Sequence, residues 1–268
     1  MQNTMLSRAE IEDQGISDPI GYAMGRWDTD LLPVVADALT AGRTHFAFQP
    51  VVTADDPPRI AFYEGLIRLK NDAGHAIPAA RFMPLVEDTV AGRALDCAAL
   101  DMAFAQLRQS RDLRLSVNLS ARSLGDGQWR RILEQGLLET GHLGERLIFE
   151  ISESSAMLLH DSVIRFMHDM QPKGVGFALD GFGAGMTAFR HLNDFLFDLV
   201  KIDKSFIKRI HLNHHNQVLV SALVSVAKSF EMFAVADGVE SEEEAAFLRE
   251  AGVDCMQGYL FGTPSPTI

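Results

Sequence analysis

From Leu113 onward, short β-rich apolar runs alternate with segments of helical periodicity, and that alternation constrains the fold more than any other feature of the chain. Strands are read at 115–119, 147–151, 175–180, 199–202, 233–236 and 256–260, and helices at 128–138, 162–170, near 186–192, 216–230 and 242–251. A strand, a crossover helix and a further strand make a parallel βαβ unit. So many units in succession predict a closed barrel, for which 268 residues is an ordinary length. The run Val175–Asp180 lacks strict apolar/polar alternation, as in a parallel sheet covered on both faces. Upstream, helical spacing recurs at 30–41, followed by strands at 45–52 and 61–69 and helices at 79–90 and 94–107. Residues 1–28 are polar and weakly patterned and read as a tail or connector, which leaves 29–268 as the barrel domain.

Side chains at the C-terminal ends of such strands form the site. Here they are Asn118, Glu150 with Glu153, Asp180, Lys201 with Asp203, Asp237 with Glu240, and Gln257. The sharpest of these ends is Asp180, where an apolar run stops at a carboxylate and Gly181, Gly183 and Gly185 let the backbone turn and approach a ligand. Taken alone, Asp180 reads more readily as a cap on the next helix. Repeated around one rim, the acids need compensating charge, because buried like charges raise one another's pKa. Carboxylate and amide oxygens suit Mg²⁺, Mn²⁺ or Ca²⁺.

Glu64, Leu66 and Arg68 share one face of their strand. A structural Glu64–Arg68 ion pair is the plain alternative to a ligand role. Gln49, before Pro50, reads as an edge-strand side chain in preference to a ligand contact. His211, His214 and His215 lie in a stretch without apolar pattern and read as a solvated loop. Glu242, Glu243 and Glu244 after Ser241 read as the first turn of a capped helix.

A formal net charge of −12 opposes a grip on duplex nucleic acid, which rests on clustered Lys and Arg. Any anionic ligand then needs a metal or a few placed cations. Cys97 and Cys255 sit in a helical and a strand-like run, which argues against a disulfide framework and for a reducing, cytoplasmic setting. No run reaches the roughly 18 apolar residues of a membrane span, and Met1–Gly15 lacks the apolar centre of a signal peptide.

Phe48-Gln49-Pro50, Glu64-Gly65-Leu66, Ser116-Val117-Asn118-Leu119-Ser120, Phe149-Glu150-Ile151-Ser152-Glu153-Ser154, Leu179-Asp180-Gly181-Phe182-Gly183, Val200-Lys201-Ile202-Asp203, Val235-Ala236-Asp237-Gly238-Val239-Glu240 and Gln257-Gly258-Tyr259 follow one another over residues 45–266. In this order they resemble the EAL-domain family, phosphodiesterases that linearise the bacterial second messenger cyclic di-GMP. The resemblance implies a modified TIM (β/α)8 barrel using two Mg²⁺ or Mn²⁺ ions to activate a water for in-line attack on one phosphodiester. It implies a first metal held by Glu64, Asn118, Glu150 and Asp180. A second metal would share Asp180 and need the next residue and the acid at position 237. Lys201 would sit beside the water or phosphate, and Glu153 would stabilise the loop after Asp180. Gln49, Leu66, Arg68, Glu240 and Gln257 would hold the ligand. A homodimer formed near that loop, and an upstream sensor or partner protein, are further implications.

Three positions depart from the family pattern. Gly65 replaces the Ala of Glu-Ala-Leu and removes only a methyl. Gly181 stands where active members carry a second Asp, and Asp237, where they carry Glu, is shorter by one C–C bond of about 1.5 Å. The first metal set is complete and the second is damaged. The expected function is therefore a receptor or regulatory module that binds cyclic di-GMP with weak or absent hydrolysis. The alternatives are an active metal-dependent phosphodiesterase and a protein-interaction scaffold that binds no nucleotide.

Overall fold

Eight strands close into a barrel in a computed structural model that describes residues 31–139, 142–185 and 189–268. The polar tail expected at 1–28 lies outside the described residues, as do 186–188 of the short helix expected near 186–192. A helix at 31–40 (α1) leads into β1 (Thr44–Thr53), which runs antiparallel to both β2 (Ile60–Lys70) and β9 (Cys255–Gln257). From β2 the barrel continues through β4 (Leu115–Asn118), β5 (Leu147–Ser152), β6 (Gly176–Phe182), β7 (Leu199–Ile202) and β8 (Phe233–Asp237) to β9, each pair parallel. The two-residue β3 (Ala76–Ile77) extends β2 as a hairpin outside the closed ring.

The parallel βαβ pattern thus holds from β2 onward, and β1 reverses it. Residues 54–59 between β1 and β2 are too few for a crossover, so the two strands can only pair antiparallel. Because β1 has neighbours on both sides, the expectation of an edge strand at Gln49 is corrected: Gln49 is buried opposite Glu64.

The helical layer comprises α2 (Ala79–Val86), α3 (Val90–Gln109), α4 (Gly127–Glu139), α5 (Glu153–Leu158), α6 (His160–Met170), α7 (Lys204–Ile207), α8 (His214–Ser229) and α9 (Glu242–Ala251). The helix expected over 79–90 stops at Val86, and Thr89 opens α3, its hydroxyl accepting from Ala91 N. The solvated loop expected around His211–His215 is also corrected. Asn213 caps α8 by accepting from Asn216 N, so His214 and His215 are its first residues. The last strand ends at Gln257 rather than 260, and at Gly258 the backbone passes so close to Val239 that an added Cβ would lie 2.0 Å from its carbonyl oxygen. Cys97 is buried in α3 and Cys255 half-buried in β9, both as free thiols. Among the described residues no helix is long and apolar enough to cross a membrane.

Outward-facing side chains of the strands anchor the helices. Phe149 and Phe177 pack with Trp129 of α4 and Phe166 of α6, at centroid separations of 5.6 to 6.3 Å. Burying each such ring contributes about 1.5–3 kcal/mol. Inside the barrel, Val51, Phe62, Ala178, Leu199 and Val235 form an apolar floor, with Ile148 and Cys255 packed against it. Strand side chains alternate with period two. One step beyond that floor therefore brings Gln49, Glu64, Glu150, Asp180, Lys201, Asp237 and Gln257 into the next layer.

Candidate functional site

That layer is a hydrogen-bonded network of charged groups on an apolar base. Lys201 Nζ donates to Glu64 Oε2 at 2.9 Å and to Glu150 Oε2 at 2.7 Å, with all three side chains almost fully buried. Asn118, at the exposed end of β4, donates Nδ2 to Glu64 Oε1 at 2.8 Å, and Gln257 Nε2 donates to Glu64 Oε2 at 2.7 Å. Gln257 Nε2 also reaches Gln49 Oε1 at 3.4 Å, and Gln49 in turn donates to Gly262 O. Register accounts for these meetings: Gln49 pairs with Glu64 across β1 and β2, Asn118 with Glu150 across β4 and β5, and Asp237 with Gln257 across β8 and β9.

The electrostatics follow from burial. Burial alone would raise the Glu64 carboxyl, but the Lys201 charge and hydrogen bonds from Lys201, Gln257 and Asn118 hold it below the usual range. Burial and the neighbouring Glu64 charge push Glu150 up to about 8 despite Lys201. Burial also pushes Asp237 up, with Glu64 and Asp180 reinforcing it against the pull of Lys201. For Lys201, burial would favour the neutral amine, yet Glu150, Glu64, Asp180 and Asp237 keep the ammonium well above its usual value. One ammonium faces four acids.

Two open spaces adjoin this layer. A cleft of about 300 Å³ is lined by Asn118, Glu150, Asp96, Ser120, Arg122 and Ser152. A second, of about 250 Å³, lies beside Leu66, Arg68, Asp96 and Asn118. Glu64, Asn118, Glu150 and Asp180 carry donor types that suit a hard divalent cation, with Lys201 on one oxygen each of Glu64 and Glu150. The buried Gln257 Oε1 has no hydrogen-bond partner.

The plain Glu64–Arg68 ion pair is corrected. Arg68 Nη1 donates to Ile67 O, and the cation on Glu64 is Lys201. Glu153 stands apart from the network at the start of α5 and accepts from Gly183 N at 3.1 Å and Gly185 N at 3.3 Å. Glu240 is exposed at the rim, its backbone N–H donating to Glu244 Oε2. Asp203 caps α7 by accepting from Ser205 N. Ser241 caps α9, as the sequence suggested, and with Glu244 forms a reciprocal capping box.

Sequence reasoning missed Ser116, which is fully buried and donates its hydroxyl to Glu150 Oε1. Its position two residues before Asn118 in one strand was the available signal. Also missed was Asp96 of α3, which accepts from Ser120 N and Ser123 Oγ.

Residues 34–264 match the EAL domain. The bifunctional diguanylate cyclase/cyclic di-GMP phosphodiesterase MucR of Pseudomonas aeruginosa is 30% identical over 241 residues, covering 88% of this chain and 35% of that protein. A solved MucR phosphodiesterase in complex with cyclic di-GMP has a TM-score of 0.81 at 28% identity, covering 89% of this chain and 98% of that one. The manganese and cyclic di-GMP complex of Klebsiella pneumoniae BlrP1 has a TM-score of 0.71 at 27% identity, covering 83% and 56% of the two chains. The chain spans about a third of the length of the curated relatives it matches. A match that runs through the whole barrel, from α1 to beyond β9, makes this protein a member of the EAL domain family.

Proposed function

We propose that this EAL domain binds cyclic di-GMP as a receptor or regulatory module and hydrolyses it weakly or not at all. The observation that carries this reading is an asymmetry in the oxygen ring. Glu64, Asn118 and Glu150 are tied into one network beside Asp180, whereas Gly181 contributes no side chain and nothing lies within 4 Å of where its Cβ would be. Glu64, Asn118, Glu150 and Asp180 would hold one Mg²⁺ or Mn²⁺. When bound, such an ion polarises phosphoryl oxygens and water. Lys201 and Arg68 would offer positive charge to the phosphates, while Gln49, Leu66, Glu240 and Gln257 would position the rest of the ligand. Glu153 would keep the loop after Asp180 in shape.

In-line displacement needs both the entering and the leaving oxygen stabilised. With no acid at 181 and a shortened one at 237, the set that would hold a second ion, and through it the attacking water, is reduced. A homodimer is part of the same proposal. An apolar hollow of about 250 Å³ beside the loop, lined by Phe182, Phe206, Leu219 and Leu223, supports such pairing. An upstream sensor or partner protein is equally a proposal. The second reading, an active phosphodiesterase, is favoured by the phosphodiesterase relatives and by the carboxylate retained at Asp237.

Calorimetry with cyclic di-GMP in Mg²⁺, followed by product analysis on wild type and on Gly181→Asp/Asp237→Glu, tests the proposal. The expected result is binding by both proteins and at least about 100-fold more linear dinucleotide from the double variant, the rate equivalent of about 3 kcal/mol. Equal, rapid turnover by both proteins would establish the phosphodiesterase reading. Absence of binding heat would leave the scaffold.

A further inference from the structure

A second group of metal-ligating side chains lies outside the barrel mouth, where the connection from β6 to β7 packs against α6. His160 opens α6, while His191 and Asp194 sit three residues apart in the 3₁₀ turn Phe189–Asp194. Residues i and i+3 of a 3₁₀ helix eclipse one another, so the turn presents its imidazole and carboxylate side by side. His160 Nε2 is 3.4 Å from Asp194 Oδ2, and His191 Nδ1 is 3.5 Å from the same oxygen. One ligand atom from each of the three residues fits within a 4.8 Å span. Tetrahedral coordination with bonds of about 2.0–2.1 Å places donors roughly 3.3–3.4 Å apart, so two of these separations already have the spacing of a metal site.

The surroundings of His160 strengthen that reading. His160 Nδ1 is 3.2 Å from Asp161 Oδ1, within hydrogen-bond reach of that carboxylate. Nε2 is buried and makes no hydrogen bond, although the Asp194 carboxylate lies next to it. A cation shared between Nε2 and this carboxylate, a proton or a metal ion, would satisfy both groups. A carboxylate on the far nitrogen of a ligating histidine is also the usual orienting partner in zinc sites. Phe195 packs edge-on against the His160 ring at 4.8 Å and fixes its plane.

We infer that His160, His191 and Asp194 form a binding site for a transition-metal cation, Zn²⁺ by preference, with Asp161 orienting His160. Two imidazoles and one carboxylate select Zn²⁺ over Mg²⁺ or Mn²⁺, whereas the all-oxygen ring in the barrel has the opposite preference. Three protein ligands leave a fourth position for solvent or an exogenous ligand. The bound ion would tie the 189–194 turn to α6. Glu153 already holds Gly183 and Gly185 at the other end of the same connection. This inference is independent of whether the barrel site hydrolyses its ligand.

The test is a Zn²⁺ titration of the tag-free, chelator-stripped chain against a chromophoric competitor in excess Mg²⁺, with Co²⁺ as a coordination probe. The expected result is one equivalent of Zn²⁺ and a tetrahedral Co²⁺ absorption band in wild type and in Glu64→Gln. Affinity should fall more than about 100-fold in His160→Gln and His191→Gln, and roughly 10–100-fold in Asp161→Asn. The exposed, conservative Asp194→Asn gives the same reading should a histidine variant fail to fold. Zn²⁺ binding unchanged in the His160, His191 and Asp194 variants would overturn the site. So would an equivalent that disappears with Glu64→Gln, or no Zn²⁺ retained by wild type against the competitor.

Discussion

Lys201 is the residue on which the charge balance of the barrel mouth turns. Its ammonium is the buried partner of both Glu64 and Glu150, so deleting it leaves Glu64 without its counter-charge and Glu150 without one of its donors. Breaking a buried pair from one side costs about 3–5 kcal/mol. Lys201→Met should therefore lower unfolding free energy in urea by about that much, and Mn²⁺ should recover part of the loss by replacing the missing charge. A loss below about 1 kcal/mol, unaffected by Mn²⁺, would show that the ammonium is not the counter-charge. Asp96 gives a separate residue-scale prediction. Burial raises its carboxyl from 3.8 to about 7, with hydrogen bonds from Ser123 and Ser120 offsetting only part of the effect. Between those values the folded chain keeps a proton that the unfolded chain has released, so stability falls as pH rises through that window and levels off above it. Asp96→Asn has no proton to lose. Its advantage over wild type should grow from pH 4 to pH 8 toward a ceiling of about 4 kcal/mol, read from melting at several pH values. Parallel pH curves for the two proteins would contradict the burial argument. At this scale the strand-end acids were legible because their period is set by the strand itself. Their partners were not: Glu64 and Arg68 lie about 13 Å apart along one strand, whereas the true cation arrives from a strand 137 positions away.

Elements were legible where one periodicity ran uninterrupted, and illegible where two competed. The parallel strands β4 to β8 fall where apolar runs end in polar residues, while the short β3 and the break at 87–89 between α2 and α3 carry no comparable signal. The reversed β1 was hidden for another reason, since an apolar β-run looks the same in either direction and only the six-residue connection fixes its sense. Helix packing holds a further test. Gly136 is buried in α4, and a Cβ there would come within 2.3 Å of the Phe104 ring of α3. Gly to Ala inside a helix ordinarily gains up to about 1 kcal/mol. Here the contact should reverse the sign, with Gly136→Ala losing about 1–3 kcal/mol in denaturant unfolding as the two helices are forced apart. A stabilised variant would mean that Phe104 yields without cost and that α3 and α4 are not locked by this contact.

Over the whole molecule, a closed barrel with an apolar floor delivers seven polar side chains to one layer. The lack of a carboxylate at Gly181 is a local absence beside Asp180. Gly181 has φ +75, a conformation that Asp tolerates better than most residues, and it has open space around it. The fold therefore has room for the missing acid, at the cost of left-handed backbone strain. Family and architecture were legible from the ordered strand ends, but the state of the second metal position was legible only as an absence, which chemistry alone can weigh. The direct measurement is incubation of the purified chain with cyclic di-GMP in saturating Mg²⁺ or Mn²⁺, with chromatographic quantitation of the linear dinucleotide beside a Glu64→Ala control. The proposed receptor binds the ligand and forms product no faster than the control; rapid conversion by wild type that is abolished in Glu64→Ala would contradict it.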